Sequence, residues 1–180
     1  MKVLKIIGFT VVAIIVALLL IAAVAENDYA VEREIIVNEP KDKVFEYIKY
    51  LKNQDNWSRW ASADPNMKKS FSGTDGQVGF VSAWDSDNEE VGKGEQEITK
   101  IIEGERVETE LRFIEPFEST EMAYMAVEEI EAGKTKVIWG FEGSMDYPMN
   151  LLLLTMDFDA MLGADFEYGL GNLKDILESE

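Results

Sequence analysis

The longest uninterrupted apolar run in the chain lies near its N-terminus and limits the possible folds more than any other feature. Residues 6–25, IIGFTVVAIIVALLLIAAVA, carry no charge at any of their 20 positions. As a helix they would span about 30 Å, the hydrocarbon thickness of a bilayer. We therefore expect residues 1–26 to form a separate membrane segment. The remaining residues, 27–180, are long enough for one domain with a real core and too short for two.

Two interpretations of this apolar run are open. Lys2 and Lys5 precede it, whereas Glu26 and Asp28 follow it, so the positive-inside rule places the N-terminus in the cytoplasm and the domain outside. On this interpretation the run is an uncleaved, single-pass anchor. Alternatively, the small residues of AVA, which end at Ala25, mark a signal-peptide cleavage site, although signal h-regions are typically only about 7–15 residues long. In that case the domain is secreted or periplasmic.

The domain that follows is strongly acidic. The chain has 35 acidic and 17 basic residues, and every acidic residue lies at or beyond Glu26. Since Lys2 and Lys5 are two of the 17, the remainder carries 15 basic against 35 acidic groups, a net charge of −20. Such a surface repels phosphate backbones and anionic headgroups, so we predict no nucleic-acid partner. We interpret the charge as a device for solubility or salt adaptation rather than for binding a cationic partner.

Two residue types are missing altogether. Without cysteine there is no disulfide, thiolate zinc site or cysteine nucleophile, and without histidine the usual neutral-pH base is absent. The acidic turn that begins at Asp85 suggests calcium, but an EF-hand loop started there needs glycine at its sixth position and glutamate at its twelfth. Glu90 and Gln96 occupy those positions. We predict neither a metal site nor a cofactor.

Hydrophobic periodicity predicts an α+β domain. Alternating residues indicate a first strand at 29–37, and the spacing of apolar residues predicts a helix at 41–51 and a short second helix at 54–60. Further strands are predicted at 67–71, 78–84, 91–102, 106–113, 119–130 and 135–143. A stripe repeating every three or four residues from Leu162 to Leu177 predicts a terminal helix. For residues 119–130 the inward set is either Met122 with Tyr124 or Ala123 with its i+2 neighbours.

Several stretches in this order resemble one superfamily. They are VEREIIVNEPKDKVFEYI, WSRW followed by DPNM, VGKGEQEITKIIEGERVETELRF, TKVIWGFEG and DFEYGLGNLKDIL, spread over residues 29–178. Together they resemble the SRPBCC superfamily of START-like helix-grip proteins, and in particular bacterial polyketide cyclase-like members with an N-terminal hydrophobic segment. The resemblance implies a curved antiparallel sheet of six to seven strands wrapped around a long C-terminal helix. It also implies two short helices after the first strand and an apolar cavity.

The resemblance implies binding of a lipid, a polyketide or another hydrophobic molecule in that cavity. The residues that we expect to line it are Trp57, Trp60, Trp84, Phe113, Trp139, Phe141, Met145 and Phe166. For the tryptophans of WSRW three roles are open: filling the core, contacting a ligand at the cavity rim, or belonging to an active site. Because no indole acts as an acid or base near neutral pH, catalysis would need other groups.

The leading hypothesis is therefore a membrane-tethered, extracytoplasmic domain that holds a hydrophobic small molecule without catalysis. One alternative is a cyclase or dehydratase, for which an acid or base is required. Its candidates are Asp64, Tyr124, Glu142, Asp146 and Tyr147, each of which also has an ordinary structural explanation, so no catalytic residue is predicted. The other alternative is an interaction module that acts through its surface, as related heat-shock ATPase activators do.

Overall fold

The computed structural model describes residues 2–179 of the 180. The N-terminal half contains helix α1 (Lys2–Ala22), strand β1 (Asp28–Val37), helix α2 (Lys41–Ile48), a first 3-10 helix (Leu51–Asn56), helix α3 (Arg59–Ala63), and strands β2 (Lys68–Ser72) and β3 (Val81–Asp85). The C-terminal half contains strands β4 (Lys93–Ile102), β5 (Arg106–Glu115), β6 (Ser119–Glu131) and β7 (Lys134–Ser144), a second 3-10 helix (Met149–Leu154), and helix α4 (Phe158–Ser179).

The strands form one seven-stranded sheet in the order β1-β7-β6-β5-β4-β3-β2. Strands β2 to β6 each pair antiparallel with the next strand along the chain. In the pairing of β4 with β5 the register shifts twice, between Lys93 and Gly94 and between Ile98 and Lys100. Such irregularities bend a strand and increase its twist. The predicted α+β helix-grip architecture, with short helices after the first strand and a long terminal helix, is confirmed.

One face of this sheet, called here the inner face, carries the buried residues. On β5, Val107 and Thr109 are buried, in the phase that the sequence alternation predicts. The choice left open for β6 is settled, because Ala123 and Met125 are buried whereas Met122 is 39 % exposed. Helix α4 contributes its own buried stripe to this core: Phe166, Leu170, Leu173 and Leu177.

Two glycines let α4 approach its neighbours closely. A Cβ on Gly169 would lie 2.9 Å from the Cζ3 atom of Trp139, and a Cβ on Gly163 would overlap the guanidinium group of Arg33. Arg33 of β1 fills the space beside Gly163 and donates to both carboxylate oxygens of Asp159, each at 2.9 Å, and to Glu167 at 2.9 Å. These contacts fix the N-terminal half of α4 to the first strand.

The chain divides into two compact units. The smaller unit comprises Met1–Tyr29 with Ser144–Phe158, and the larger comprises Ala30–Gly143 with Asp159–Glu180. Within the smaller unit the Met145 N–H donates to the Asn27 carbonyl at 2.9 Å. Among residues 2–179, α1 is the one helix long and apolar enough to cross a membrane, a property that a signal sequence shares.

Two predicted elements are corrected by the structure. The helix predicted at 54–60 is replaced by the first 3-10 helix and α3, because Ser58 has extended backbone (φ −66°, ψ 142°) and caps α3 by accepting from the Ala61 N–H. The strand predicted from Val78 begins only at Val81. Gly79 has a φ of +86°, which ends extended backbone there and leaves Val78 63 % exposed.

Candidate ligand-binding site

Four of the predicted cavity residues come together in the larger unit as one aromatic group: Trp57, Trp60, Trp139 and Phe166. Trp139 on β7 stacks on Phe166 of α4 with ring centroids 4.2 Å apart and an interplanar angle of 6°. Trp57 and Trp60 meet the Trp139 ring edge-on at 5.0 and 5.9 Å. Edge-to-face and offset-stacked pairs at these separations each stabilise packing by about 0.5–1.5 kcal/mol beyond area burial. The group joins the sheet, the terminal helix and α3.

The segment around α3 holds the two WSRW tryptophans differently. Trp57 precedes the α3 cap and is fully buried, whereas Trp60 lies within α3, which contains no buried residue. The Trp57 carbonyl accepts from the Asn172 side chain at 3.2 Å. The ion pair that Arg59 of α3 makes with Asp165 is long, at 3.7 Å, and partly exposed. Exposed ion pairs contribute about 0–1 kcal/mol, so α3 is fixed less firmly than Trp57.

The Trp57 indole contains an unusual polar group. Its Nε1–H is buried and has no hydrogen-bond partner among the described residues. Leaving a buried donor unpaired costs about 1–3 kcal/mol, and native structures contain few such groups. An acceptor atom from another molecule would remove this cost. The aromatic group therefore combines a large apolar surface with one unused hydrogen-bond donor.

Beside this group lies a small cavity between the short helices and the inner face. It is lined by Ile48, Leu51, Gln54, Gln96, Val107, Thr109, Ala123, Tyr124, Met125 and Trp139. Its volume is about 10 Å³, roughly the space that one water molecule occupies. Gln96 Nε2 donates to the Thr109 hydroxyl at 3.0 Å, and that hydroxyl donates to the Ala123 carbonyl at 3.3 Å. The cavity wall thus mixes apolar side chains with polar ones, among them the hydrogen-bonded pair of Gln96 and Thr109. A larger guest would enter the cavity only if side chains moved.

The other predicted cavity residues are Trp84, Phe113, Phe141 and Met145. Trp84 packs edge-on against Phe113 at 6.0 Å, and its indole N–H has its own acceptor, the Val91 carbonyl at 3.2 Å. Phe141 is buried on β7 two residues beyond Trp139, on the same face. Met145 belongs to the smaller unit, where it is half-buried. The sequence alone does not separate these residues from the aromatic group, because all of them fit one inward-facing pattern.

The acid–base candidates named from the sequence have other contacts. Asp64 accepts from Ser86 Oγ at 2.5 Å in a turn, and Glu142 is exposed on β7. Tyr124 adjoins the cavity, but strand alternation directs its ring to the opposite face, where it lies under the Arg106 guanidinium at 3.5 Å. Its hydroxyl donates to Glu32. Burial, followed by this hydrogen bond, raises the pKa of the Tyr124 hydroxyl.

The remaining two candidates, Asp146 and Tyr147, are exposed residues of the smaller unit. Residues 2–179 contain no group of three acidic, histidine or cysteine side chains arranged to hold a metal ion.

Sequence reasoning did not single out the polar residues of the inner face. Gln54, Gln96 and Thr109 line the cavity, and Glu121 is buried on the inward phase of β6 with 8 % exposure. The signal for Glu121 is its parity with Ala123, which becomes usable only after the phase of β6 is known. Gln96 gives no signal of its own in a strand that is rich in polar residues.

The seven-stranded antiparallel sheet, the short helices and the terminal helix define a helix-grip protein of the SRPBCC type. The chain belongs to the family described as "Polyketide cyclase / dehydrase and lipid transport", whose model matches residues 29–178. The family and the fold are consistent with ligand binding. No curated protein matches the chain.

Solved structures share the fold at low sequence identity. A Staphylococcus aureus protein of unknown function has a TM-score of 0.62 at 14 % identity, covering 86 % of this chain and 96 % of its own. Norcoclaurine synthase from Thalictrum flavum, solved with a transition-state analogue, has a TM-score of 0.61 at 11 % identity, covering 87 % and 98 %. A protein from Nitrosospira multiformis has a TM-score of 0.58 at 16 % identity, covering 82 % and 94 %.

Proposed function

We propose that this protein is a membrane-anchored binding protein whose domain, residues 27–180, is held outside the cytoplasm. It binds a hydrophobic small molecule between α3, α4 and the inner face of the sheet, and no catalysis is required. The observation that carries the proposal is the Trp57 indole N–H, which is buried inside a group of four aromatic side chains and has no acceptor among residues 2–179. A ligand with an apolar body and one acceptor oxygen matches both features.

Binding requires a movement, because the cavity beside the aromatic group holds about one water molecule. The element that moves is α3, which has no buried residue. Its contacts with α4 include the 3.7 Å pair of Arg59 with Asp165, the Arg59 guanidinium over the Tyr168 ring, and the edge-on packing of Trp60 against Phe166. Displacing Trp60 with α3 would open the space against Trp139 and Phe166. Burial of apolar ligand surface there stabilises the complex by about 25 cal/mol per Å².

The polar side chains then orient the ligand. Gln96 and Thr109 are hydrogen-bonded to each other within the cavity wall, and the Gln96 amide has a second hydrogen and an oxygen to offer. Gln54 adds another amide from the first 3-10 helix. These groups favour a molecule that carries a hydroxyl or carbonyl at one end, such as a polyketide or a lipid with a small polar head.

The proposal that α1 is a membrane anchor rests on the apolar composition of α1 and on its flanking charges, not on the family match. Lys2 and Lys5 on one side and Glu26 and Asp28 on the other orient α1 with its N-terminus in the cytoplasm. Tethering would keep the site next to a membrane in which apolar molecules are concentrated.

A first experiment asks whether the protein carries such a molecule. The full-length chain is purified in lipid nanodiscs, released, and analysed by native mass spectrometry and solvent extraction. We expect one apolar molecule per chain, and its dissociation constant is then measured by tryptophan fluorescence. Trp57→Phe keeps an aromatic ring but removes the donor, so we expect affinity to fall about fivefold, the effect of roughly 1 kcal/mol for one hydrogen bond.

Trp84→Phe is the matched control, because it also removes an indole, but one whose N–H already donates to Val91. Its affinity should equal that of the wild-type chain. Preparations that are free of any such molecule, or equal affinities for the two variants, would contradict the proposal.

A second candidate function, a cyclase or dehydratase, is favoured by Glu121. This carboxyl group is buried on the inward phase of β6, one alternation from the cavity residue Ala123. A carboxyl group buried on the same face of the strand as a cavity residue is a candidate for general acid–base chemistry. If the extracted molecule is chemically changed on incubation with the wild-type chain but not with Glu121→Gln, the protein is an enzyme rather than a carrier.

A further inference from the structure

The segment that follows β7 is unusual for this acidic chain. Residues 147–156, YPMNLLLLTM, contain no charge and lie between Asp146 and Asp157. They include the second 3-10 helix and belong to the same compact unit as α1. Large apolar side chains in this stretch point to solvent: Tyr147, Met149, Leu154 and Met156, with exposed fractions of 52, 56, 60 and 39 %. Several large exposed apolar side chains within one uncharged segment make it a candidate binding surface.

This segment is joined to the end of α1 through one buried side chain. Asn150, on the second 3-10 helix, is fully buried, and its Nδ2 atom lies 2.8 Å from the Ala22 carbonyl and 2.8 Å from Asn27 Oδ1. It also reaches the Ala25 carbonyl at 3.4 Å. The last carbonyls of any helix lack partners within the helix. Asn150 supplies that partner from 128 residues away.

This arrangement sets the depth of the segment in a bilayer. Because α1 is about as long as the hydrocarbon thickness, its C-terminal carbonyls reach the boundary between hydrocarbon and headgroups. A group that hydrogen-bonds the Ala22 carbonyl therefore lies at the same boundary. We propose that residues 147–156 form an interfacial membrane element, with Tyr147, Met149, Leu154 and Met156 contacting lipid. This proposal rests on the part of the proposed function that keeps α1 as an uncleaved anchor.

The composition of the segment indicates the kind of surface it meets. It has no Lys or Arg, and it is flanked by Asp146 and Asp157. Attraction to anionic headgroups therefore contributes nothing, and binding depends on the apolar side chains entering the acyl boundary. Tyrosine is enriched at this depth in membrane proteins, and Tyr147 leads the segment. Continuity with α1 favours the bilayer as the occupant over a second copy of the chain or another protein.

The same contacts bear on the two interpretations of the N-terminus. Cleavage after Ala25 would remove two of the carbonyl acceptors of Asn150 and leave its buried amide with fewer partners. It would also leave the exposed leucine and methionine side chains of the segment on a secreted domain. An uncleaved α1 avoids both costs.

The test uses the absence of cysteine from the chain. Single-cysteine variants Met149→Cys and Leu154→Cys of the full-length protein are labelled with an NBD fluorophore in phosphatidylcholine nanodiscs. Val78→Cys is the control, because Val78 is also apolar and exposed, at 63 %, but belongs to the larger unit. Nanodiscs containing lipids with a spin label near the headgroup should quench the two segment labels at least about twofold more than the control label. Aqueous iodide should show the opposite order.

Equal quenching of all three labels by the spin-labelled lipids would overturn the proposal. Labels that are protected from iodide yet unaffected by the lipids would also overturn it, since they would show a protein occupant. Asn150→Leu keeps the side-chain size and removes the amide, so lipid quenching at position 154 should fall towards the control value while α1 remains in the nanodisc. Undiminished quenching in this variant would refute the role of Asn150. If the variant does not fold, the labels on the wild-type background still decide the proposal.

The result is separable from that of the ligand experiment. Segment labels in lipid without any retained small molecule would uphold this inference and reject the proposed binding function. A retained small molecule together with segment labels that lie in water would uphold the proposed binding function and reject this inference. N-terminal sequencing that shows a chain beginning after Ala25 would reject the anchor and this inference together, but not ligand binding.

Discussion

The two faces of the sheet in the larger unit are stabilised by different interactions. The inner face buries aliphatic and aromatic side chains, with a few polar groups such as Gln96 and Thr109. The outer face consists largely of ion pairs. Arg112 of β5 donates to three carboxylates, those of Glu95, Glu97 and Glu110, at 2.6, 2.8 and 2.5 Å. One strand alternation separates the two kinds of surface.

The difference shows which face can bind a hydrophobic guest. On the outer face cations are already paired with carboxylates, as Lys136 is with Glu128 at 2.6 Å, and the excess of acids faces water. On the inner face the side chains are closely packed, so small changes in side-chain volume have large effects on stability. We therefore expect variants of the inner face to respond to side-chain size and variants of the outer face to respond to salt.

The largest effect is expected from adding one methyl group where α4 meets the inner face. The Cβ atom of Gly169→Ala would lie 2.9 Å from Trp139 and 3.4 Å from Trp57, both rings held by packing. Overpacking of this kind costs about 1–3 kcal/mol and outweighs the gain in helix propensity of about 1 kcal/mol. Urea unfolding of the full-length chain in detergent, followed by circular dichroism, should show the loss.

Gly171→Ala is the matched control for that measurement, since no other described part of the chain lies within 4 Å of its added Cβ apart from its neighbours and the backbone of its own helix. It should stabilise the chain by up to about 1 kcal/mol through helix propensity alone. If both variants shift stability in the same direction, the rings do not pack against α4 as described.

Most of this fold can be predicted from the sequence because inward-facing and outward-facing residues alternate along each strand. In β5 the alternation of Val107 and Thr109 with charged residues predicts the strand and its inner face. In β6 both phases contain apolar residues, so Met122 and Ala123 are equally suited to the core until neighbouring strands are in place. Tertiary pairing, rather than local pattern, decides that phase.

The site is less predictable than the fold. The pattern predicts that Trp57, Trp139 and Phe166 face inward, but not that they meet while Trp84 packs elsewhere against Phe113. Which inward residues touch depends on strand order and on where α4 crosses the sheet. The same geometry leaves the indole N–H of Trp57 without an acceptor in the described part of the chain. The linear pattern of residues does not contain the strand order or the position at which α4 crosses the sheet.

A smaller effect is expected on the outer face. Arg112→Met leaves the three carboxylates of Glu95, Glu97 and Glu110 close together without a cation. Because these side chains are partly exposed, we expect a loss of only about 1 kcal/mol. The loss should shrink as salt is raised to about 1 M, where screening acts over about 3 Å. Gly169→Ala, measured under the same conditions, should show no such dependence, and an equal salt response in both would remove the distinction between the faces.

The smallest effect concerns Arg33, a cation on the inward phase of β1 that is paired with α4. Its hydrogen bonds to Asp159 hold the pKa of that carboxyl group below its usual value of about 3.8. A carboxyl group whose pKa is lowered by folding stabilises the fold above its unfolded-state pKa, and this contribution is lost as pH falls through the folded-state pKa. Above about pH 5 the wild type should therefore be more stable than Asp159→Asn by the whole contribution of the charge pair. This difference should disappear in strong acid.

Thermal unfolding of the full-length chain from about pH 6 to about pH 2.5 measures this difference, with Asp175→Asn as a control that keeps the Arg33 pairs. Asp159 is exposed, so the change in Tm should be small, and its pH dependence carries the argument rather than its size. A difference that persists unchanged into strong acid would mean that the carboxyl group acts through packing or helix capping. In that case the charge pair of Arg33 with Asp159 would contribute nothing to holding α4 against the inner face, which would be left to the Arg33–Glu167 pair and to the packing of the buried stripe of α4.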